Sequence, residues 1–280
     1  LIHRGQGLSL KGTVLVATEG LNGTIAGSKS AIAQFVETLA EIPGLAGVEL
    51  KYSAAPSAPF HRFKVKLRKE IVSMGVHDID PARRSGKHVG AQEWDALLDD
   101  PSVLVLDTRN DYEYAIGRFS GAKSANTTNF REFPDQVDAL KSEGFQKVAM
   151  YCTGGIRCEK ASALLLAKGF EQVYQLDGGI LRYLEDTPAA RQKWEGECFV
   201  FDSRVAVKND LSPGSYEQCH ACRRPLSATD MASNDYQPSV SCPHCVNETT
   251  TSQRKRFAER RRQVALAAQR GANHIGDGNS

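Results

Sequence analysis

The sequence predicts three architectures in one chain: an α+β unit over residues 1–70, an α/β unit with a parallel sheet over 90–195, and a small metal-stapled module over 196–247. A connector at 71–89 and a basic tail at 248–280 complete it. Three observations carry this prediction. Apolar strand-like runs alternate with helix-like periods through residues 90–195, the pattern of a parallel sheet. Residues 12–70 give a strand, strand, helix, strand, strand order. After Trp194 aliphatic periodicity fades, and Cys, Pro, Ser and Asn dominate as far as Asn247. With 280 residues and 41% hydrophobic content, the chain holds enough apolar material for two or three domains.

In the first unit the pattern predicts strands at Thr13–Thr18 and Thr24–Ala26, a helix at Lys29–Leu39, and strands at Val48–Ser53 and His61–Lys69. Ser28 stands where an N-cap belongs, and Pro43-Gly44 supplies a stop and a turn. The last strand alternates, with Arg62, Lys64, Lys66 and Arg68 on one face and Phe63, Val65 and Leu67 on the other. Four cations with no acid among them make either a solvated exterior or a phosphate-facing surface. The chain begins at Leu1 rather than methionine, and further sequence before it is expected.

Residues 71–90 contain Pro81, Arg83-Arg84, Ser85-Gly86 and Gly90 and lack a sustained apolar period, so they read as a connector. Beyond it, helices at Gln92–Leu98, Phe133–Ser142 and Lys160–Lys168 alternate with strands at Val103–Asp107, Val148–Tyr151 and Val173–Leu176, before Asp177-Gly178-Gly179. In such sheets sites collect at the carboxyl ends of strands, where Asp107 and Cys152 both fall.

Tyr151-Cys152-Thr153-Gly154-Gly155-Ile156-Arg157-Cys158 is the most informative segment. Cys152 follows a buried strand, and a helix closed by Gly169 follows the loop. Gly154 and Gly155 let backbone N–H groups point inward, so that amides, the positive helix end and Arg157 favour a nucleophilic thiolate. Cys158, in the first helical turn, is either a second thiol able to resolve an oxidised Cys152 or a residue packed inward.

Cys219-His220-Ala221-Cys222 and Cys242-Pro243-His244-Cys245 form two pairs separated by nineteen residues, the spacing of a zinc ribbon. Four thiolates (Cys219, Cys222, Cys242, Cys245) leave no open position, so the metal role is structural; His220 and His244 are substitutes or neighbours, and a redox dithiol is the other reading. Cys198, beside Phe199 and Val200, reads as a buried apolar residue.

The odd number of cysteines, seven, argues against a disulfide framework and for a reducing compartment. No apolar run approaches the length of a membrane span and no leader pattern opens the chain, so the expectation is a soluble, cytoplasmic protein without membrane attachment. The net charge of +2 hides an asymmetry: residues 248–280 carry seven Lys/Arg against three Asp/Glu, net +4, leaving 28 against 30, net −2, elsewhere. Arg254-Lys255-Arg256 and Arg260-Arg261-Arg262, with Phe257, Val264 and Leu266, suggest a basic helix before a disordered polar end, and hence a polyanionic partner. No flavin or nicotinamide glycine fingerprint is present in the sequence.

Asp107-Thr108-Arg109, Asp111-Tyr112-Glu113-Tyr114, Gly117-Arg118-Phe119-Ser120-Gly121-Ala122 and Cys152-to-Arg157, in this order, make residues 90–195 resemble a rhodanese domain. The resemblance implies a persulfide-bearing loop cysteine, here Cys152, with Asp107, Arg109 and Glu113 as loop-supporting charges or as a buried ion-pair network. Glu19-Gly20-Leu21-Asn22-Gly23-Thr24-Ile25-Ala26-Gly27, the cysteine loop and the cysteine-rich segment together resemble the rhodanese-related tRNA uridine hydroxylase family. That resemblance implies a ferredoxin-like or acylphosphatase-like first domain whose usual first strand would precede Leu1. It also implies oxygen-dependent 5-hydroxylation of the wobble uridine at position 34. Cys152, Arg157 and Cys158 would be catalytic, with an oxidised Cys152, or a peroxy adduct assisted by Arg157, as the hypothesis for what carries oxygen to a flipped-out base. The N-terminal sheet, with Arg62, Lys64, Lys66 and Arg68, and the C-terminal basic segment would hold the tRNA anticodon arm, while Thr153, Gly154, Gly155 and Ile156 would bind substrate in the loop that presents Cys152 to the base. Cofactors would be structural zinc and O2 as co-substrate. The rival readings are a sulfurtransferase passing persulfide sulfur to an acceptor, and an RNA-binding scaffold without catalysis.

Overall fold

A computed structural model describes residues 1–48, 50–55, 58–76 and 78–271 of the chain. The polar end expected to be disordered lies, from residue 272 on, outside the described residues.

The first unit opens with a short helix that the sequence pattern did not announce, α1 (Ile2–Gly7). Strands β1 (Lys11–Ala17) and β2 (Gly20–Ala26) form an antiparallel hairpin, and helix α2 (Lys29–Ala40) follows. Ser28 caps α2, its Oγ accepting the Ala31 N–H at 3.2 Å. Strand β3 (Phe63–Leu67) then adds parallel to β1, giving the order β2-β1-β3. Ala31, Phe35 and Leu39 of α2 pack on Leu10, Val14 and Phe63, with the Phe35 and Phe63 rings edge-on at 5.5 Å.

Two expectations for this unit need correction. Among the described residues of 48–53 there is no strand: the segment leaves the sheet and crosses to the central unit, where Lys51 bonds Gly154 and Gly178, and Arg204 reaches Ser53. The strand expected at His61–Lys69 is shorter, and its Leu67, at the last residue of edge strand β3, is 83% exposed instead of core-facing. The basic alternation holds. Lys64 has its pKa lowered chiefly by the charge of Arg62, then by partial burial and by Lys66, as expected of cations sharing one face.

The central sheet has five parallel strands in the order β4-β9-β8-β5-β7. These are β4 (Lys87–Val89), β5 (Val103–Asp107), β7 (Lys123–Ser124), β8 (Lys147–Tyr151) and β9 (Gln172–Leu176). The segment read as a connector is thus partly structural: it supplies edge strand β4, and Met74 within it is fully buried in the central core.

Strand alternation sorts side chains into two cores. Leu104, Leu106, Val148 and Met150 face α5 (Phe133–Ser142) and α6 (Ile156–Ala167). Val103, Val105, Ala149 and Tyr151 face α3 (Ala91–Asp99) and α7 (Gly179–Asp186). Between β5 and β7 lie α4 (Asp111–Ile116) and β6 (Gly117–Phe119), the latter paired antiparallel with β10 (Trp194–Gly196). The Phe119 ring sits within 5.3 Å of those of Trp94, Tyr151, Tyr183 and Trp194.

Residues just past 195 do not leave this body. β11 (Cys198–Phe199) pairs with β12 (Ala206–Val207), and Cys198, Val200 and Val207 complete the second core, so Cys198 is indeed a buried apolar filler. The compositional shift at Trp194 therefore precedes the structural one, because short β-pairs bury side chains without a long apolar period. The module beyond holds β13 (Glu217–Gln218), β14 (Pro225–Leu226) and α8 (Ala228–Ala232), and the basic helix α9 (Thr251–Gln269) starts from a Thr250–Gln253 capping box.

Candidate active site

Cys152 lies one residue past β8, the middle strand of the sheet, and α6 begins at Ile156. Helix α6 therefore starts earlier than the sequence pattern placed it and carries Arg157 and Cys158 in its first turn. Gly155 takes a left-handed φ of +95° and turns its N–H onto Cys152 Sγ at 3.1 Å. The outer side of the loop is fixed by α7: Ile180 N–H donates to the Cys152 carbonyl at 3.0 Å and Leu181 N–H to the Thr153 carbonyl at 3.2 Å. With its carbonyls turned away, the loop keeps amides for the sulfur. Gly179 is required here, since a Cβ on it would lie 2.5 Å from the Cys152 carbonyl oxygen and 2.7 Å from the Gly155 nitrogen. Asp177-Gly178-Gly179 was visible in the sequence, but its role as a backstop to the cysteine loop was not, because nothing local in the pattern says what the glycines face.

Burial works against charge on Cys152, which retains 1% of its exposure. It is outweighed by the Cys158 thiol, the Arg157 charge and the N–H groups of Arg157 and Cys158, and the net effect pulls the thiol down to about 5. Cys158 moves the other way, well above the thiol range, through burial and the neighbouring sulfur, with Thr108 Oγ1 3.6 Å from its Sγ. At neutral pH one sulfur is therefore a thiolate and its neighbour a neutral donor.

Arg157 does not stand free beside the sulfur. Its Nη1 and Nη2 donate to Glu113 Oε2 and Oε1 at 2.7 and 2.8 Å, with both side chains buried. Glu113 also accepts the Asn110 N–H at 3.0 Å, and the Thr153 hydroxyl reaches it only at 3.5 Å. Burial opposes ionisation of Glu113, but the Arg157 charge and hydrogen bonds prevail and hold its carboxyl below the usual range. Asp107 and Arg109 form a separate, fully buried pair, Nη2 to Oδ2 at 2.6 Å, with Arg109 also donating to the Gly117 carbonyl and lying against Tyr151 and Trp194.

Thr153, Gly154, Gly155 and Ile156 are thus brought together with Cys152, Arg157 and Cys158. Among the described contacts, no side chain of Arg62, Lys64, Lys66 or Arg68 bonds to the loop. The cation that does so from the first unit is Lys51, whose Nζ donates to the Gly154 and Gly178 carbonyls at 2.7 and 2.9 Å. No motif marked it. Lys160 of α6 is another such link: it pairs with Glu70 and, at 3.2 Å, with Glu19, and Glu19 in turn accepts the Ile71 N–H at 2.6 Å. Glu19 lay inside the motif that carried the family resemblance, which gives that motif a physical task.

In the C-terminal module the sulfur atoms of Cys219, Cys222, Cys242 and Cys245 all lie within 4.8 Å of one another. Four thiol donors so close fit a tetrahedral ion such as zinc. His244 instead pairs with Asp230 at 3.2 Å, and His220 offers its carbonyl to Arg260 of α9 at 2.7 Å.

A low-pKa cysteine in an amide-lined loop, at the carboxyl end of the central strand of a five-stranded parallel sheet, defines a rhodanese-like domain, here joined to a small α+β domain and a cysteine cluster. Residues 90–186 match the family of rhodanese-like domains, and residues 1–71 match the UPF0176 acylphosphatase like domain. A tRNA uridine(34) hydroxylase of Mesorhizobium japonicum is 53% identical over 272 residues, covering 96% of this chain and 88% of that protein. One from Teredinibacter turnerae is 53% identical over 278 residues, covering 99% and 87%. Among solved structures, a rhodanese-like domain from Anabaena is similar at 26% identity and a TM-score of 0.32, covering 39% of this chain and 78% of its own. The chain belongs to the tRNA uridine(34) hydroxylase family.

Proposed function

We propose that this chain hydroxylates C5 of the wobble uridine of tRNA, with molecular oxygen as co-substrate, a two-electron donor reducing the second oxygen atom to water, and Cys152 as the reacting residue. What carries the reading is 53% identity along nearly the whole chain to proteins of that name, coupled to a loop that holds Cys152 as a thiolate. The same likeness favours it over the sulfurtransferase and scaffold readings.

In this reading Cys152 supplies a nucleophilic sulfur at neutral pH. Cys158, kept neutral, donates to it, and Arg157, oriented by Glu113, supplies positive charge where negative charge builds up on the base. Thr153, Gly154, Gly155 and Ile156 hold the base, while Asp107 and Arg109 brace the end of β5 beside the loop. Lys64 and Lys66 on β3, Arg62 and Arg68 flanking it, and the Arg/Lys side chains of α9 hold phosphates of the anticodon arm, a contribution that weakens with salt. Zinc in the four-cysteine cluster has a structural task, ordering the module that carries α9. The setting is the cytoplasm, and no described helix is long and apolar enough to cross a membrane.

Nucleoside mass spectrometry of tRNA from a deletion strain tests the proposal. Complementation with the wild-type chain restores 5-hydroxyuridine at position 34, and Cys152→Ala does not. Unchanged 5-hydroxyuridine with Cys152→Ala removes Cys152 from the reaction, and none with the wild type removes the activity.

A further inference from the structure

The Phe201 ring lies over the guanidinium beside the reactive sulfur, and it is 63% exposed. It does not owe that exposure to a loose loop. The turn between β11 and β12 is tied by the Val200 N–H to the Val205 carbonyl at 2.9 Å, by Asp202 accepting the Arg204 N–H at 2.9 Å, and by the Ser203 N–H to the Pro59 carbonyl at 3.2 Å. The ring is braced edge-on by buried Phe199, centroids 5.0 Å apart, and Phe199 is braced in turn by Tyr112. The Arg157 guanidinium carbon lies 5.9 Å from the Phe201 centroid, within cation–π range, while its charge acts on Cys152. The Phe199 carbonyl, two residues back, faces the Thr153 hydroxyl at 3.5 Å. A rigid, solvent-facing aromatic thus stands one guanidinium away from the thiolate, an arrangement that folding alone does not require, since burial would favour the ring more.

We infer that Phe201 is a stacking platform for an unstacked pyrimidine base presented to Cys152. The inference rests on the proposed tRNA reading and adds to it the residue that receives the face of the base. A base drawn out of the anticodon stack loses its neighbours, and a π-face replaces them. The surrounding charge suits a nucleotide: Arg157 lies under the ring, and Lys51 crosses the loop from the opposite unit. Next to Lys51, Tyr52 brings a second exposed aromatic on the same crossing segment.

The test uses the full chain with Phe201→Ala, Phe201→Leu and Phe201→Trp. Relative to wild type, Phe201→Ala and Phe201→Leu are expected to lower kcat/KM for tRNA hydroxylation on the order of 10- to 100-fold, with the iodoacetamide alkylation rate of Cys152 unchanged. Phe201→Trp retains activity, and the difference in emission between it and the wild type shows quenching by an anticodon stem-loop with uridine at position 34, but little by the same stem-loop abasic there. Wild-type kcat/KM in Phe201→Leu, or equal quenching by the uridine and abasic stem-loops, overturns the inference. A changed oligomeric state in Phe201→Ala with unchanged kcat/KM also overturns it, assigning the ring to a protein contact. If the wild type makes no 5-hydroxyuridine, the functional reading fails, whereas the fluorescence contrast decides the stacking on its own.

Discussion

Glu113 and Arg157 meet through two parallel hydrogen bonds of 2.7 and 2.8 Å, with the carboxylate fully buried and the guanidinium nearly so. Removing one partner strands the other charge away from water, which costs about 3–5 kcal/mol. Glu113→Ala is therefore expected to lower the urea midpoint strongly. Glu113→Gln, which keeps the shape and one acceptor but not the charge, falls between it and the wild type. Equal urea midpoints for all three chains would show that the pair contributes nothing to folding.

The thiolate predicts a pH profile. Cys152 alkylation by iodoacetamide is expected to stay near its plateau as pH falls from 8 to 6 and to drop through a midpoint of about 5. Because the sulfur is almost covered, small reagents react faster than bulky maleimides. The folded value lies below that of an unfolded cysteine, about 8.5, so the thiolate's contribution to stability is complete above that pH. It declines as pH falls and is lost below about 5. The stability difference between wild type and Cys152→Ser should follow this slope, and a flat difference from pH 5 to 8.5 would contradict it.

Two glycines of the site should behave oppositely. Gly179→Ala forces a Cβ at a φ of +67° to within 2.8 Å of the Cys152 and Thr153 carbonyl oxygens, displacing the loop that aims amides at the sulfur. Its Cys152 alkylation midpoint is expected to rise toward that of a free thiol. At Gly154 a Cβ meets nothing within 4 Å, so Gly154→Ala keeps the wild-type midpoint. Identical titrations for the two variants would detach α7 from the tuning of the thiolate.

The cysteine cluster predicts a metal dependence confined to one end of the chain. Arg260 of α9 donates to the His220 carbonyl at 2.7 Å, so the first cysteine turn holds the basic helix directly, while Arg224 ties the His244 carbonyl at 2.5 Å to Glu248 at 2.9 Å just before the helix begins. Purified protein is expected to carry one tightly bound metal ion. Cys245→Ser loses it and exposes α9 to limited proteolysis, while Cys152 alkylation is unchanged. A metal-free wild type with α9 equally protected would sever that link.

What the sequence made legible was local. Cys152, the two glycines after it and Arg157 fall within six residues, and a strand before them with a helix after them leaves few places for the sulfur but the end of a sheet. The paired Cys-x-x-Cys turns are equally self-contained. Missed features depend on distant partners: Lys51 sat in a segment that patterned as a strand, yet its role comes from Gly154 and Gly178, more than a hundred residues away. Phe201 gave no periodic signal, and edge strand β4 is only three residues long, too short to stand out inside a polar stretch.

Lys160 joins the first unit to the helix that carries Arg157 and Cys158, and it leads to the last prediction. Its ammonium, almost wholly buried, pairs with Glu70 and with Glu19, and Glu70 in turn accepts the Met74 N–H at 3.0 Å. Burial resists ionisation of Glu70, but Lys160 and the Met74 and Gly75 N–H groups win and lower its pKa. Stability from this carboxylate is therefore present above its unfolded value and lost as pH falls through the lower folded one. Lys160→Met leaves two carboxylates facing each other without their cation. With Glu19 partly solvated, the cost is expected near the low end of the range for broken buried pairs, about 3 kcal/mol. The variant should become sensitive to proteolysis between residues 71 and 86, where Glu70 and Glu19 otherwise fix the backbone at Ile71, Met74 and Gly75. Its destabilisation relative to wild type should shrink as pH falls toward 3, since protonated carboxyls no longer need the ammonium. A destabilisation independent of pH would mean that Lys160 acts by packing its methylenes in α6, not by pairing the two units.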